Sequence, residues 1–187
     1  MSKGNSGLFS GTKGCRNTQE AVRNSAYAEI VETIASRTKG LDLREHPLPY
    51  KLPSAKKMKA LKKKVDSGKA TKSEYKQYEW AKRFNKRREE GVRRFWRQER
   101  ARLLNGEKGT RNWTEDQKND IIQNRRPKFN GKIIVGHHSY SASNYPHLAN
   151  LGEIIYPATF NEHLRGWHGS KYKLSLPGKP IKLVIEF

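Results

Sequence analysis

The 187-residue sequence predicts an α+β protein in which a largely helical, basic N-terminal region precedes a compact domain of short strands and helices. Two observations support this prediction. Apolar residues recur at spacings of three, four and seven through residues 71–104, which is typical of a long amphipathic helix. Short runs of Ile, Val and aromatic residues, bounded by Pro and Gly, recur after residue 128 and are typical of strands and turns. The predicted division is a basic helical region over 17–109 and a compact domain over 110–187.

The N-terminal part is predicted to be helical after a flexible start. Residues 1–16 are rich in Gly, Ser, Lys and Asn, a composition typical of a flexible lead or linker. Three prolines between residues 47 and 53 favour an extended connection, because proline disfavours the helical conformation of the residue before it. Apolar periodicity and the stop signals that follow it predict helices over 17–38, 55–66 and 71–104.

The compact domain is predicted to contain helices and short strands in succession. Thr114 and Gln117 form a capping-box pattern that begins a helix, and Pro127 ends it. A second capping-box pattern, Thr159 with Glu162, begins another helix. Strands are expected at 132–135 and 153–156, a polar loop at 139–150, and a terminal β-hairpin at 172–176 and 181–186.

Charge and cysteine content restrict the partners of the chain. It carries 39 Lys/Arg and 18 Asp/Glu, a formal net charge of +21, and residues 51–106 hold 20 of the basic residues against six acidic ones. So large an excess favours nucleic acid, an anionic membrane surface or an acidic protein as a partner.

The single cysteine, Cys15, excludes an internal disulfide. No apolar run reaches the length of a membrane span, and the first residues show no signal-peptide pattern.

Histidine gives the strongest functional signal. Five of the six histidines lie between residues 137 and 168, and two of them are adjacent at the end of a predicted strand. Neutral imidazole binds divalent transition metals, and phosphodiester hydrolysis needs both a cation at the phosphate and an activated water. Because adjacent residues of a strand point to opposite faces, one histidine of the pair can bind a metal while the other acts as a general base.

The order of these residues resembles the HNH superfamily of nucleases, specifically its GHH-signature branch among bacterial polymorphic toxins. Nuclease colicins are more distant relatives. The resemblance covers residues 112–170 and implies a ββα-metal finger, in which two strands joined by a long loop precede a histidine-bearing helix. The matching segments are Gly136-His137-His138, Asn150-Leu151, Pro157, residues 163–169 and the helix over 113–127.

The resemblance also implies a role for each residue of the site. His138 is the general base, and Asn150 orients it by fixing its second ring nitrogen. The expected cofactor is one divalent metal ion, Zn, Ni, Mg or Mn, and its ligands are His137, His163 and His168.

The spacing of the last two ligands departs from the colicin pattern. His163 and His168 are five residues apart, whereas residues four apart share a face of an α-helix. A helix that ends early at Gly166 would let His168 fold back toward the site.

The resemblance implies a metal-dependent endonuclease, with DNA favoured over RNA, that acts as an antibacterial toxin. Such domains are delivered at the C-terminus of larger secreted proteins, act in the target-cell cytoplasm, and are neutralised in the producer by a cognate immunity protein, here expected to be acidic. The alternatives are an RNase on the same finger and a non-catalytic nucleic-acid-binding protein with a structural metal. The basic residues expected to contact phosphates, unless they form only a solvated face, are Lys62, Lys63, Lys64, Arg87, Arg88, Arg93 and Arg94.

Overall fold

The computed structural model describes residues 12–187, with side chains from residue 18 onward. Most of the predicted lead, residues 1–11, lies outside the described residues, and the first helix begins at Thr12 rather than at 17. The other predicted α-helices are confirmed, although the fourth ends at Ile122 rather than at Pro127. The four α-helices are α1 (Thr12–Arg37), α2 (Ala55–Asp66), α3 (Lys72–Leu104) and α4 (Glu115–Ile122).

Local side-chain hydrogen bonds fix where three of these helices begin. The hydroxyls of Ser54, Thr71 and Thr114 each accept a hydrogen bond from the backbone N–H three residues later. Glu74 and Gln117 return a bond to the N-cap backbone and complete capping boxes at the starts of α3 and α4. The capping box predicted for α4 is therefore confirmed.

The strands form two small antiparallel pairs, so the fold is a mixture of helices and short strands that agrees with the α+β prediction. Strands β1 (Lys128–Phe129) and β2 (Lys132–Ile133) form one pair. Strands β3 (Val135–His138) and β4 (Ile155–Ala158) form the other, with His137 opposite Tyr156 and His138 opposite Ile155. Between β3 and β4 the chain makes a long loop that contains a 3₁₀ turn, and after β4 comes a π-helix, Glu162–Trp167.

Helices α1 and α3 pack directly on the β3–β4 pair. Phe95 of α3 is fully buried and shares a core with residues of the loop and of β4, namely Tyr145, Leu148, Ile154 and Ile155. Ile34 of α1 lies in a second cluster with Tyr156, Ala158 and Trp167. The basic helical region therefore shares its core with the strands, while the boundary at 110 stays a prediction.

Two glycines permit the close approach of α3 to the strand pair. A Cβ atom on Gly91 would lie 2.5 Å from the backbone oxygen of Ala149. A Cβ on Gly136 would lie 2.8 Å from Ile155 Cγ2 and 3.0 Å from Val92 Cγ1. At Gly91 the obstacle is a backbone atom, and at Gly136 a larger residue would force the Ile155 and Val92 side chains to shift, so the first residue of the Gly-His-His motif serves packing.

The predicted C-terminal β-hairpin is wrong. Only an isolated bridge between Leu176 and Lys179 forms in that segment. Two other backbone groups of this segment bond to earlier parts of the chain. Gly178 donates its N–H to Ser139 O at 2.8 Å, and Lys182 donates to Gly166 O at 3.0 Å. The segment therefore packs as an irregular tail around the π-helix.

Among the described residues, none of the helices has the length and apolar character needed to cross a membrane.

Candidate metal centre

Three histidines from separate parts of the chain meet beside the strand pair. His137 lies on β3, His163 lies in the π-helix, and His168 follows the last residue of that helix. Each offers a ring nitrogen, and these three nitrogens lie within 4.8 Å of one another. The ring centroids are separated by 4.9 Å for His137 and His163, 5.1 Å for His137 and His168, and 4.8 Å for His163 and His168. The three histidines that sequence reasoning singled out are thus brought together.

The π-helix explains how two histidines five residues apart share one face. The backbone N–H of His168 donates to the carbonyl oxygen of His163 at 3.2 Å, the i to i+5 pattern of a π-helix. Gly166 does not end the helix early, as the sequence interpretation supposed, because it lies inside it. It is buried against the C-terminal tail, where a Cβ would lie 3.2 Å from Lys182 O.

The three histidines fit a divalent metal that accepts nitrogen ligands. His137 is only 4% exposed, and its Nε2 atom is buried without a hydrogen-bond partner among the described residues. Burial lowers the pKa of His137 well below its usual value and the pKa of His163 to about 4, so both rings are neutral near pH 7 and keep a free lone pair. His168 donates its Nδ1–H to Leu174 O at 2.7 Å, which leaves its Nε2 free as a ligand.

His138, the other half of the pair, has a fixed ring. Its Nε2 lies 3.0 Å from the backbone oxygen of Ala149. A carbonyl oxygen only accepts hydrogen bonds, so Nε2 carries the proton and Nδ1 is left as a bare acceptor. Burial, and to a smaller extent the positive charge of Arg88, lowers the pKa of His138 to about 4. The ring is therefore neutral near pH 7, with its Nδ1 unprotonated.

The His138 ring bonds to the backbone oxygen of Ala149, and the side chain of the neighbouring Asn150 bonds elsewhere, so the orienting role expected of Asn150 stays a prediction. The side-chain oxygen of Asn150 accepts a hydrogen bond from Arg87 at 3.0 Å, and the same guanidinium nitrogen donates to His147 O at 3.1 Å. Asn150 and Arg87 thus link the loop to α3, and they support His138 only through the position of the loop. The sequence could not decide between Asn150 and Ala149 as the partner of His138. A side-chain oxygen at one position and a backbone oxygen at the next can both reach the same ring.

A buried ion pair supports the start of the π-helix. Arg111 donates to both carboxylate oxygens of Glu162, at 2.5 and 2.8 Å, and the two side chains are 6% and 5% exposed. Arg111 also donates to Pro157 O of β4. Glu162 accepts from the backbone N–H of Thr159 and completes the predicted capping box. Because Glu162 immediately precedes His163, this pair holds a candidate ligand against β4. Sequence reasoning missed Arg111, for which the chain offers no local signal.

The histidines line a cleft of about 800 Å³ that is positively charged. Among the described residues that line it, none is acidic, and Arg88, Lys132 and Lys173 supply positive charge. Of the predicted phosphate contacts, only Arg88 lines this cleft. Lys132 and Lys173 were missed, although both lie within a few residues of the histidines in sequence.

Most of the other predicted phosphate contacts form ion pairs. Lys62 pairs with Asp66 and Lys64 with Glu74, while Arg93 and Arg94 share Glu90. Lys63 is exposed on α2 beside them. These exposed pairs are weak, so their lysines and arginines remain open to exchange partners with a phosphate, and their role stays a prediction.

The cleft therefore combines three histidines that could hold a metal ion with a neutral fourth histidine and several cations. Residues 78–159 match the model of a family described as the GHH signature containing HNH/Endo VII superfamily nuclease toxins. The match confirms the resemblance found in the sequence and extends it into α3, while it ends before His163 and His168. Neither a search of curated proteins nor one of solved structures returned a match.

Proposed function

We propose that this protein is a metal-dependent endonuclease that hydrolyses DNA phosphodiester bonds, and that β3, β4 and the π-helix form its ββα-metal finger. One observation carries the proposal. The cleft that contains the three-histidine cluster also contains His138, whose Nδ1 is a bare acceptor because its Nε2–H is held by Ala149 O. A metal-binding group and a general base thus face one cationic cleft, and the family match to nuclease toxins supports the same reading.

The residues of the cleft have distinct parts in this reaction. His137, His163 and His168 would hold the metal, which when bound supplies Lewis-acid stabilisation of the charge that develops on the phosphate. His138 takes a proton from the attacking water onto Nδ1, and Ala149 O keeps the ring in place through Nε2–H. Arg88 and Lys132 attract the phosphate backbone.

A plasmid-cleavage assay tests the proposal. Wild-type protein should convert supercoiled DNA to nicked and linear forms in the presence of a divalent metal and lose this activity in EDTA. His138→Ala and His137→Ala should both be inactive, whereas Arg165→Ala, an exposed change on the same π-helix, should cleave normally. RNA of matched sequence is assayed in parallel. Cleavage of RNA alone would overturn the choice of DNA, and binding without any cleavage would overturn the nuclease proposal.

We further propose that the protein acts as an antibacterial toxin, delivered into the cytoplasm of target cells as part of a larger secreted protein. Its producer then needs a cognate immunity protein. A chain of net charge +21 favours an acidic one, because complementary charge speeds association. Expression in a bacterial cytosol should be lethal for wild type, harmless for His138→Ala, and tolerated when the acidic partner is co-expressed. A harmless wild-type chain would contradict the toxin proposal.

A further inference from the structure

Aromatic side chains stand exposed at the candidate metal centre. Phe160 is 52% exposed and Tyr172 is 58% exposed, and both line the cleft that holds the histidines. Phe160 precedes His163 by three residues, and Tyr172 follows His168 by four, so each ring lies on a segment that carries a candidate ligand. Because both rings line the cleft of the candidate metal centre, a ligand with an apolar face that entered this cleft could pack against them.

Both rings are close to the groups that would act on a phosphodiester. The Tyr172 ring centroid lies 5.4 Å from that of His168 and 6.1 Å from that of His163. The Lys132 ammonium lies 5.7 Å from the Phe160 ring centroid. Each ring therefore has a candidate metal ligand or a cation beside it.

We propose that Phe160 and Tyr172 stack against nucleobases next to the scissile phosphate, and that the preferred substrate is therefore an unpaired, single-stranded segment. This inference rests on the proposed nuclease function. In a duplex each base is covered on both faces by its neighbours, so an aromatic side chain can stack on a base only where the strand is unpaired or the base is turned out. Aromatic rings alternating with cations are the arrangement with which proteins bind single strands.

The charge of the cleft favours an anionic ligand, and nucleic acid combines that charge with flat bases that can stack on these rings. Arg88, Lys132 and Lys173 lie around the same space, and no acidic residue lines it among those that the structure describes. The rings and the candidate ligands line the same cleft, so a ligand that contacts the rings lies beside the candidate metal centre. A nucleotide being cleaved meets both conditions at once.

The test compares substrates and ring chemistry. Cleavage of a single-stranded oligonucleotide is compared with cleavage of the same sequence as a duplex, in metal. The wild-type protein should prefer the single strand. Phe160→Leu and Tyr172→Leu should each lower kcat/KM on the single strand about 5- to 150-fold, the range expected for one lost base stack. Phe160→Tyr and Tyr172→Phe, which keep a ring, should retain activity.

Matched controls separate stacking from loss of exposed apolar surface. Tyr75→Leu removes a ring that is 51% exposed on α3 outside the cleft, and it should leave both rates unchanged. Thermal unfolding of each variant checks the fold. Binding of the single strand is also measured in a His138→Ala background, where each leucine change should weaken affinity by a similar factor without any cleavage step.

The outcomes distinguish this inference from the function on which it rests. If wild-type protein cleaves neither substrate in any metal, the proposed function fails. If it cleaves both equally and the leucine variants match wild type, the stacking inference is overturned while the nuclease stands. If the leucine variants cleave normally but lose affinity for a protein inhibitor, the rings form a protein-docking surface, and the inference is likewise overturned.

Discussion

His168 is joined to His163 by a backbone hydrogen bond of 3.2 Å that spans five residues. The extra residue relative to an α-helical turn is absorbed by the π-helix, and the two rings end 4.8 Å apart. π-Helical turns are uncommon and occur frequently at functional sites. This bond therefore places two histidines that are five residues apart on the same face, where both can serve as candidate ligands.

The first prediction is that His168→Ala weakens metal binding as severely as His163→Ala does. Removal of an outer-shell partner typically costs ~10- to 100-fold in metal affinity, so loss of a direct ligand should cost at least ~100-fold. Calorimetric titration with Zn²⁺ measures the affinity, and Arg165→Ala on the same helix is the control. Unchanged affinity in His168→Ala would show that another group completes the site.

The second prediction is that His138→Ala keeps the metal and loses the reaction. Its ring bonds to Ala149 O and does not belong to the three-histidine cluster, so the calorimetric affinity should match that of wild type. Loss of a general base typically lowers the rate ~100- to 10,000-fold. Single-turnover cleavage measures it. A rate near that of wild type would remove His138 from the mechanism.

The third prediction concerns the close contact between α3 and the loop. Gly91→Ala raises helix propensity by ~1 kcal/mol, yet its Cβ would lie 2.5 Å from Ala149 O, a backbone atom with little room to move. Such overpacking typically costs ~1–3 kcal/mol, so the melting temperature should fall. Because Ala149 O orients His138, activity should fall further than stability alone explains. Glu89→Ala, an exposed change on α3, is the control, and a Gly91→Ala protein as active as that control would contradict the prediction.

The fourth prediction separates a buried ion pair from an exposed one. Glu162→Gln leaves the Arg111 guanidinium buried without its carboxylate and should lower the free energy of unfolding by ~3–5 kcal/mol. Glu90→Gln breaks an exposed network with Arg93, Arg94 and Arg97 and should lower the free energy of unfolding far less, because solvent screens exposed pairs. Urea unfolding of the metal-free proteins measures both. Equal losses would show that the buried pair has no special part in holding the π-helix.

The fifth prediction assigns the salt dependence of binding to the cleft. In a His138→Ala background, Arg88→Ala and Lys132→Ala should each reduce the slope of log K against log salt by about 0.7 on single strands and about 0.9 on duplex DNA. Arg93→Ala, which removes a cation already paired with Glu90, should change the slope less. Fluorescence anisotropy at several salt concentrations gives the slopes. If Arg93→Ala changed the slope more than Arg88→Ala and Lys132→Ala did, the phosphates would bind along the outer face of α3 rather than in the cleft.

The sequence predicted the helices and the histidine cluster because both depend on local or recurring signals. Capping residues such as Thr71 and Thr114 mark helix starts by hydrogen bonds within three residues. The C-terminal hairpin could not be excluded in this way. Its residues have strand propensity, but their backbone groups bond to Ser139 and Gly166, contacts that no local pattern reveals.

Other parts of the site were hidden for different physical reasons. A spacing of five residues is compatible with a π-helix and with an α-helix that ends early, and only the packing of the tail on Gly166 separates them. Arg111 reaches Glu162 across 51 residues of sequence. Gly91, by contrast, was a visible indication of a close contact. A glycine inside a long helix is unfavourable, so its presence indicates that a neighbouring element approaches the helix there.

The group that orients His138 is a main-chain oxygen, and every amino acid carries one. A substitution at position 149 can disturb the packing of a fully buried residue, but it cannot delete the acceptor. Random mutagenesis of the loop should therefore recover few inactive variants with an intact fold at this position. The corresponding lesions should appear at Gly91 of α3, where any added side chain meets the Ala149 carbonyl, so a genetic screen would map the support of this ring to a glycine.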